Sequence, residues 1–264
     1  MRLAVSDLES FYGHPMGGMV AGALRKKLFQ AWGEAKNLRV AGFGYTHPYL
    51  DVFSAAGRRL AMSAAGTGIR AGGDTPSCLV GEWAWPLADA SVDRLLIIHG
   101  LEESADPRRL LREAWRVLAD DGLMIIAAAN RRGPWAIFET SPFAAGQPYS
   151  RRQLEDLLKS SMFGVTAYAS ALHFPPINSR ALLRLAETWE RMGTSIEEWR
   201  LPPVFPNLAG VNLLEARKLG AVPISGSKAE VFRPGLLLPG ALGKPAPSRR
   251  ITDGHKRHSS KDNS

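Results

Sequence analysis

"DRLLIIHGLEESADPRRLLREAWRVLADDGLMIIAAAN", Asp93 to Asn130, decides the fold. It opens on Leu95–Ile98, an apolar run with the length of a strand buried on both faces. Asp106 then supplies a side-chain oxygen where a helix N-cap needs one. Pro107 suits the first helical position, where its missing N–H forfeits no bond. Leu110, Leu111, Ala114, Val117 and Leu118 follow at helical spacing, with Arg108, Arg109, Arg112 and Arg116 on the opposite side. "ADDG", Ala119–Gly122, is expected to end this helix, with Gly122 in the left-handed conformation. "LMIIAAA", Leu123–Ala129, then reads as a second buried strand.

The same rhythm extends both ways. Upstream, "LRVAGFG" (Leu38–Gly44), "RRLAMSA" (Arg58–Ala64) and "SCLVGE" (Ser77–Glu82) read as strands. Pro48 is expected in the first turn of a helix after Gly44. An earlier helix is expected over Gly18–Gly33, with Leu24, Leu28, Ala31 and Trp32 on one side. Downstream, Ser150 and Gln153 have capping-box spacing at the start of a helix over Ser150–Ser161. "GVTAYASAL" (Gly164–Leu172) reads as a strand, Ser179–Met192 as a helix, and "GVNLLEARKLG" (Gly210–Gly220) as the last strand.

Strand and helix in alternation predict an α/β fold, a doubly wound, mostly parallel seven-stranded sheet with helices on both faces. The expected organisation is a helical lead-in over 1–35 and an α/β domain over 36–235. A helical insertion near 175–205 precedes the last strand, and 244–264 form a disordered basic tail. That tail, "KPAPSRRITDGHKRHSSKDNS", has no apolar periodicity and carries six Lys or Arg against two Asp. It holds half of the net charge of +8 and is the segment suited to weak contact with nucleic acid or an anionic surface.

Composition narrows the chemistry. Cys78 is the only cysteine among the 264 residues, so an internal disulfide and a Cys-rich zinc site are excluded. Asp7 and Glu9 stand where a signal peptide has its apolar core, and no run approaches the ~18–20 apolar residues that span a bilayer. A cytoplasmic protein without a membrane span is expected. There is no Gly-x-Ser-x-Gly elbow and no clustered metal ligands. A dinucleotide fingerprint is also missing, because His47 occupies the place of its third glycine.

From Gly81 to Asn130, "GEWAWPLADASVDRLLIIHGLEESADPRRLLREAWRVLADDGLMIIAAAN" resembles the class I S-adenosylmethionine-dependent methyltransferases. The resemblance extends in kind over about residues 35–165. It implies S-adenosylmethionine as cofactor and an unidentified methyl acceptor, a small molecule or a protein. Gly42 and Gly44 would let backbone approach the cofactor, and Thr46 would offer a hydroxyl. Glu82 matches the acid that accepts from the adenine amino group, Trp83 would pack on the adenine, and His99 would line the methionine side. Where the acceptor needs a general base, His99 and His173 are the candidates. The loop Arg131–Tyr149 and the segment Phe174–Phe205 would cover an acceptor of partly apolar character. No Asn-Pro-Pro-Tyr follows the fourth strand, which disfavours methylation of DNA bases or glutamine.

Three positions depart from the family pattern. Val40 replaces the acid of the first motif, and Thr46 its third glycine. "RRLAMSAAGTG", Arg58–Gly68, has no acid to hold the ribose hydroxyls. Loss of that carboxylate is worth ~1.5–3 kcal/mol, or about tenfold to a hundredfold in affinity. The glycines also suit a tight turn, Glu82 a solvated loop, Trp83 and the two histidines ordinary packing. A methyltransferase-like domain that has lost catalysis and serves as an interaction or regulatory module is therefore the alternative.

Overall fold

A computed structural model describes residues 2–70, 73–137, 141–176, 209–220 and 235–236. Side chains alternate across the buried strands, so each strand supplies both faces of the sheet. Val40, Leu96, Ile98, Ile125 and Ala127 enter one core, and Ala41, Leu95, Ile97, Met124 and Ile126 the other. The strands are β1 (Arg39–Gly44), β2 (Arg58–Ala64), β3 (Ser77–Val80), β4 (Val92–Ile98), β5 (Leu118–Ala129), β6 (Phe163–Ala171) and β7 (Val211–Lys218). They lie in the order β3-β2-β1-β4-β5-β7-β6, with a two-residue β8 (Gly235–Leu236) beside β6. β7 is antiparallel to both neighbours, and the other pairings are parallel. This is the expected doubly wound α/β architecture.

Helices α1 (Val5–Gly13) and α2 (Pro15–Trp32) precede the sheet, and α3 (His47–Leu50) follows β1. α4 (Pro107–Val117) and α5 (Arg151–Ser160) cover one face through Leu110, Leu111, Ala114, Leu154 and Leu158. The other face is covered by α2, through Val20, Leu24 and Leu28. The caps form as the sequence predicts. Asp106 accepts from the backbone N–H of Arg108 (3.2 Å) and Arg109 (3.1 Å), and Ser150 and Gln153 close a capping box.

Some details differ from expectation. Helix α2 begins at Pro15 rather than Gly18, and α1 was not anticipated. The helix after β1 is a single turn, since residues 45–57 leave little chain before β2, and α2 takes over its covering role. Helix α4 stops at Val117, because Leu118 already pairs with Val92 across a register shift. Gly122 is thus part of β5, without left-handed backbone, and is packed against Leu118. The expected insertion, with its helix over Ser179–Met192, and the basic tail lie outside the described residues. Among the described residues, no helix is long and apolar enough to cross a membrane.

Strand order reverses between β1 and β4, and the chain leaves both at the carboxyl edge of the sheet. Turns diverging from such a point leave a crevice between them. At its floor Gly44 has φ +91°, and a Cβ there would collide with the carbonyl oxygen of Ile98 and lie 3.0 Å from the N–H of Gly100. Gly44→Ala should cost about 3 kcal/mol or more, from left-handed strain and the clash together. Asp106→Ala should cost only about 1 kcal/mol, the worth of one cap. Urea denaturation midpoints of the two variants check the ordering.

Candidate functional site

The turns after β1, β3 and β4 converge on this crevice. Gly44, Glu82 and His99 line the same hollow, together with Tyr45 and Ser63. Other expected site residues lie elsewhere. The space beside Gly42 is taken by the side chain of Thr46, which is fully buried and whose hydroxyl has no hydrogen-bond partner. Trp83 is 40% exposed, with the Arg109 guanidinium 5.0 Å from its ring centre. His173 follows β6 and bonds to the Ser170 hydroxyl at 2.9 Å. β7 and β5 separate it from the β4 edge, so the structure does not bring the two histidines onto one reacting atom.

The hollow is filled by the chain's own N-terminal segment. Arg2 forms a short ion pair with Glu82, and Glu82 also accepts from the Ser104 hydroxyl and from the Ala105 N–H at 2.8 Å. Arg2 further donates to the Glu103 carbonyl (3.3 Å), and the Leu3 N–H donates to the Glu103 carboxylate (3.2 Å). The Val5 N–H donates to the Thr67 carbonyl at 2.7 Å, which fastens the start of α1 to the turn after β2. Val5 and Leu8 pack on Tyr45. A cavity of about 20 Å³ remains, room for one water.

Tyr12, at the end of α1, closes the other end of the crevice. Its ring stacks on Tyr45 with centroids 5.2 Å apart. Tyr49 donates to the Tyr12 oxygen at 2.7 Å, and that oxygen also lies 2.7 Å from His99 Nε2, within hydrogen-bond distance. His99 Nε2 is therefore engaged by Tyr12. Burial drives the pKa of His99 down to about 3, which keeps the imidazole neutral. Phe143 covers the other side of the ring, 4.6 Å between centroids, and leads through Trp135 to Phe174.

Glu102, three residues beyond His99, is a second buried titratable group. One carboxylate oxygen accepts from the Ala129 N–H at 2.8 Å and the other has no partner. Burial raises its pKa to about 7. Arg2, Tyr12 and Glu102 were all missed by sequence reasoning. No local pattern marks Arg2 or Tyr12, because they meet the site only through tertiary contact. Glu102 stands in "HGLEES", where two adjacent acids look solvated, and only Glu103 reaches the N-terminal segment.

The two buried groups pull stability in opposite directions with pH. His99 titrates near 3 when folded and near 6.5 when unfolded, so its contribution is full above 6.5 and lost as pH falls toward 3. Glu102 is raised from 4.5 to about 7, so its contribution is full below 4.5 and lost as pH rises through 7. Glu102→Gln should therefore gain on the parent protein between about pH 5 and about pH 8, by up to ~1.4 kcal/mol per pH unit. Urea unfolding across that range checks this, and a pH-independent difference refutes it.

Comparisons with known proteins agree with this architecture. Residues 40–126 match the family model described as a methyltransferase domain. The Escherichia coli K12 protein YafS, itself uncharacterized, is 41% identical over 100 residues, which cover 35% of this chain and 41% of that protein. An uncharacterized protein of Mycobacterium tuberculosis H37Rv is 36% identical over 104 residues, covering 37% and 36% respectively. The chain thus spans about two fifths of the length of these curated relatives. Among solved structures, a chain from the Haloferax volcanii complex of the Trm112 methyltransferase activator with a putative methyltransferase superposes with a TM-score of 0.51. It is 15% identical, over 80% of this chain and 96% of that one. An S-adenosylmethionine-dependent methyltransferase from Archaeoglobus fulgidus gives a TM-score of 0.51 at 17% identity, over 80% and 97%. Residues 40–126 are thus similar to a methyltransferase domain, and the chain shares the fold of the class I S-adenosylmethionine-dependent methyltransferases.

Proposed function

We propose that the chain is an S-adenosylmethionine-dependent methyltransferase acting on an unidentified small-molecule or protein acceptor. The observation that carries this reading is the convergence of Gly44, Glu82 and His99 at the β1/β4 switch point, inside a methyltransferase domain. S-adenosylmethionine supplies an already electrophilic methyl carbon, so the protein's work is mainly alignment of the acceptor. Glu82 suits an adenine amino donor by charge and position. As folded, however, the crevice does not admit adenosine, since Arg2, Val5 and Leu8 occupy it. The side chain of Ser63, buried at the end of β2, is the polar group available where the ribose acid is missing.

An acceptor would approach from the loop side. There Leu3, Phe11, Pro142 and Ala144 border an open cavity of about 340 Å³, with Asp7 and Ser141 as its polar groups. That lining supports an acceptor of partly apolar character. Because the Tyr12 hydroxyl caps His99 Nε2, His99 serves as a base only if Tyr12 withdraws. His173 bonds to Ser170 after β6, away from the crevice at the ends of β1 and β4.

A second reading, an inactive methyltransferase-like module, is favoured by one specific observation: the carboxylate of Glu82 already accepts from three donors of the chain itself. Calorimetric titration with S-adenosylhomocysteine separates the two. The enzyme reading expects saturable heat, weaker by about tenfold to a hundredfold than a site with a ribose carboxylate would give. Glu82→Ala should weaken binding by about a further tenfold. No heat at millimolar ligand from the parent and from variants with the N-terminal segment released leaves the module reading.

A further inference from the structure

We infer that Arg2–Tyr12 is an intramolecular stand-in for the cofactor, a removable plug that competes with S-adenosylmethionine for the crevice. The inference rests on the cofactor reading above and adds that the site is gated by its own chain. Its first support is chemical mimicry. Arg2 presents N–H donors to Glu82, which is what an adenine amino group would present at the same carboxylate. The second is position. Val5 binds the backbone of Thr67 beside the end of β2, where the resemblance places the ribose, and Tyr12 bonds to His99 on the methionine side. The segment thus follows the course expected of the whole ligand, from adenine end to methionine end.

The third support is that the plug is built to leave. In α1 Val5 and Leu8 are buried and Phe11 and Tyr12 partly so, while Ser6, Asp7, Glu9 and Ser10 face solvent. Elements with so few buried apolar contacts open at low cost. The joint to α2 is Gly13–His14, where Gly13 has open space around it and His14 is extended. Beyond that joint α2 is anchored by Val20 and Leu24 in the main core, while the backbone of Phe11, at the end of α1, lies close against Gly17. Movement is therefore confined to residues ahead of Pro15. Removal of Arg2 leaves Glu82 with the donors of Ser104 and Ala105, so its buried carboxylate is not orphaned.

If only the open form binds, the apparent dissociation constant is the intrinsic one divided by the open fraction. In the full-length chain, Arg2→Ala should then bind S-adenosylhomocysteine about tenfold more tightly than the parent. Tyr12→Phe, which loses the bond to His99 but keeps the ring, should show a smaller gain. Hydrogen exchange provides the independent readout, since ligand should speed exchange of the amides of residues 5–13 while slowing that of residues 42–46. Equal affinities in all three proteins with unchanged exchange over 5–13 would overturn the plug and leave the cofactor reading standing. Absence of heat in every protein, although Arg2→Ala speeds exchange over 5–13, would overturn the cofactor reading and the plug with it.

Discussion

The close approach of β1 to β4 at their carboxyl ends organises everything above it. Gly44 lies in a left-handed conformation against the carbonyl of Ile98, the next N–H, of Tyr45, donates to that carbonyl at 2.9 Å, and Gly100 packs on Phe43. His99, between Ile98 and Gly100, has φ +53°, a left-handed conformation that histidine adopts more readily than most side chains. Two strands that touch this tightly must send their following turns apart. Tyr45 is thereby aimed at α1 and His99 at Tyr12, so the backbone geometry of one contact places both aromatic walls of the crevice.

A buried carboxylate at that crevice creates an obligation. Glu82 is removed from water, and an ionised group so placed is tolerated only with donors around it. A ligand amine would meet part of that requirement, and here a guanidinium from the same chain does so. The same economy holds along the tyrosines, where Tyr49, Tyr12 and His99 form a continuous hydrogen-bonded chain. Glu82 and His99, the groups proposed to meet a cofactor, are thus already hydrogen-bonded within the chain itself.

Much of this was legible in the sequence, and the exceptions have a common origin. Asp106-Pro107, the spacing of Leu110 to Val117, and Ser150 with Gln153 are local signals, and each produced the element it announced. Glu82 and His99 were placed at the crevice because a strand's end fixes where its next residues emerge. Pro48 marked the start of the helix after β1 and carried no signal for its end. Gly122 was misjudged because pairing of Leu118 with Val92 overrode a helix-stop composition. Occupation of the crevice by Arg2 depends on residues eighty positions apart, and no window of sequence contains such a contact.

Trp32, at the end of α2, donates its indole N–H to Glu215 at 2.9 Å, across 183 residues of chain. One face of the sheet is thus shielded by a helix that precedes the first strand, while β5 is flanked by a strand that comes nearly last. The segment recognisable by its family pattern, 40–126, holds neither of these. Cut out alone, it would bare the apolar row of Val40, Leu96, Ile98 and Ile125 and leave β5 with unpaired backbone along one side. Such a fragment has the makings of an aggregate rather than of a minimal enzyme. Evolutionary signature and folding unit therefore do not coincide in this chain, and the interactions that close the fold join its most distant parts, a topology associated with slow, cooperative folding.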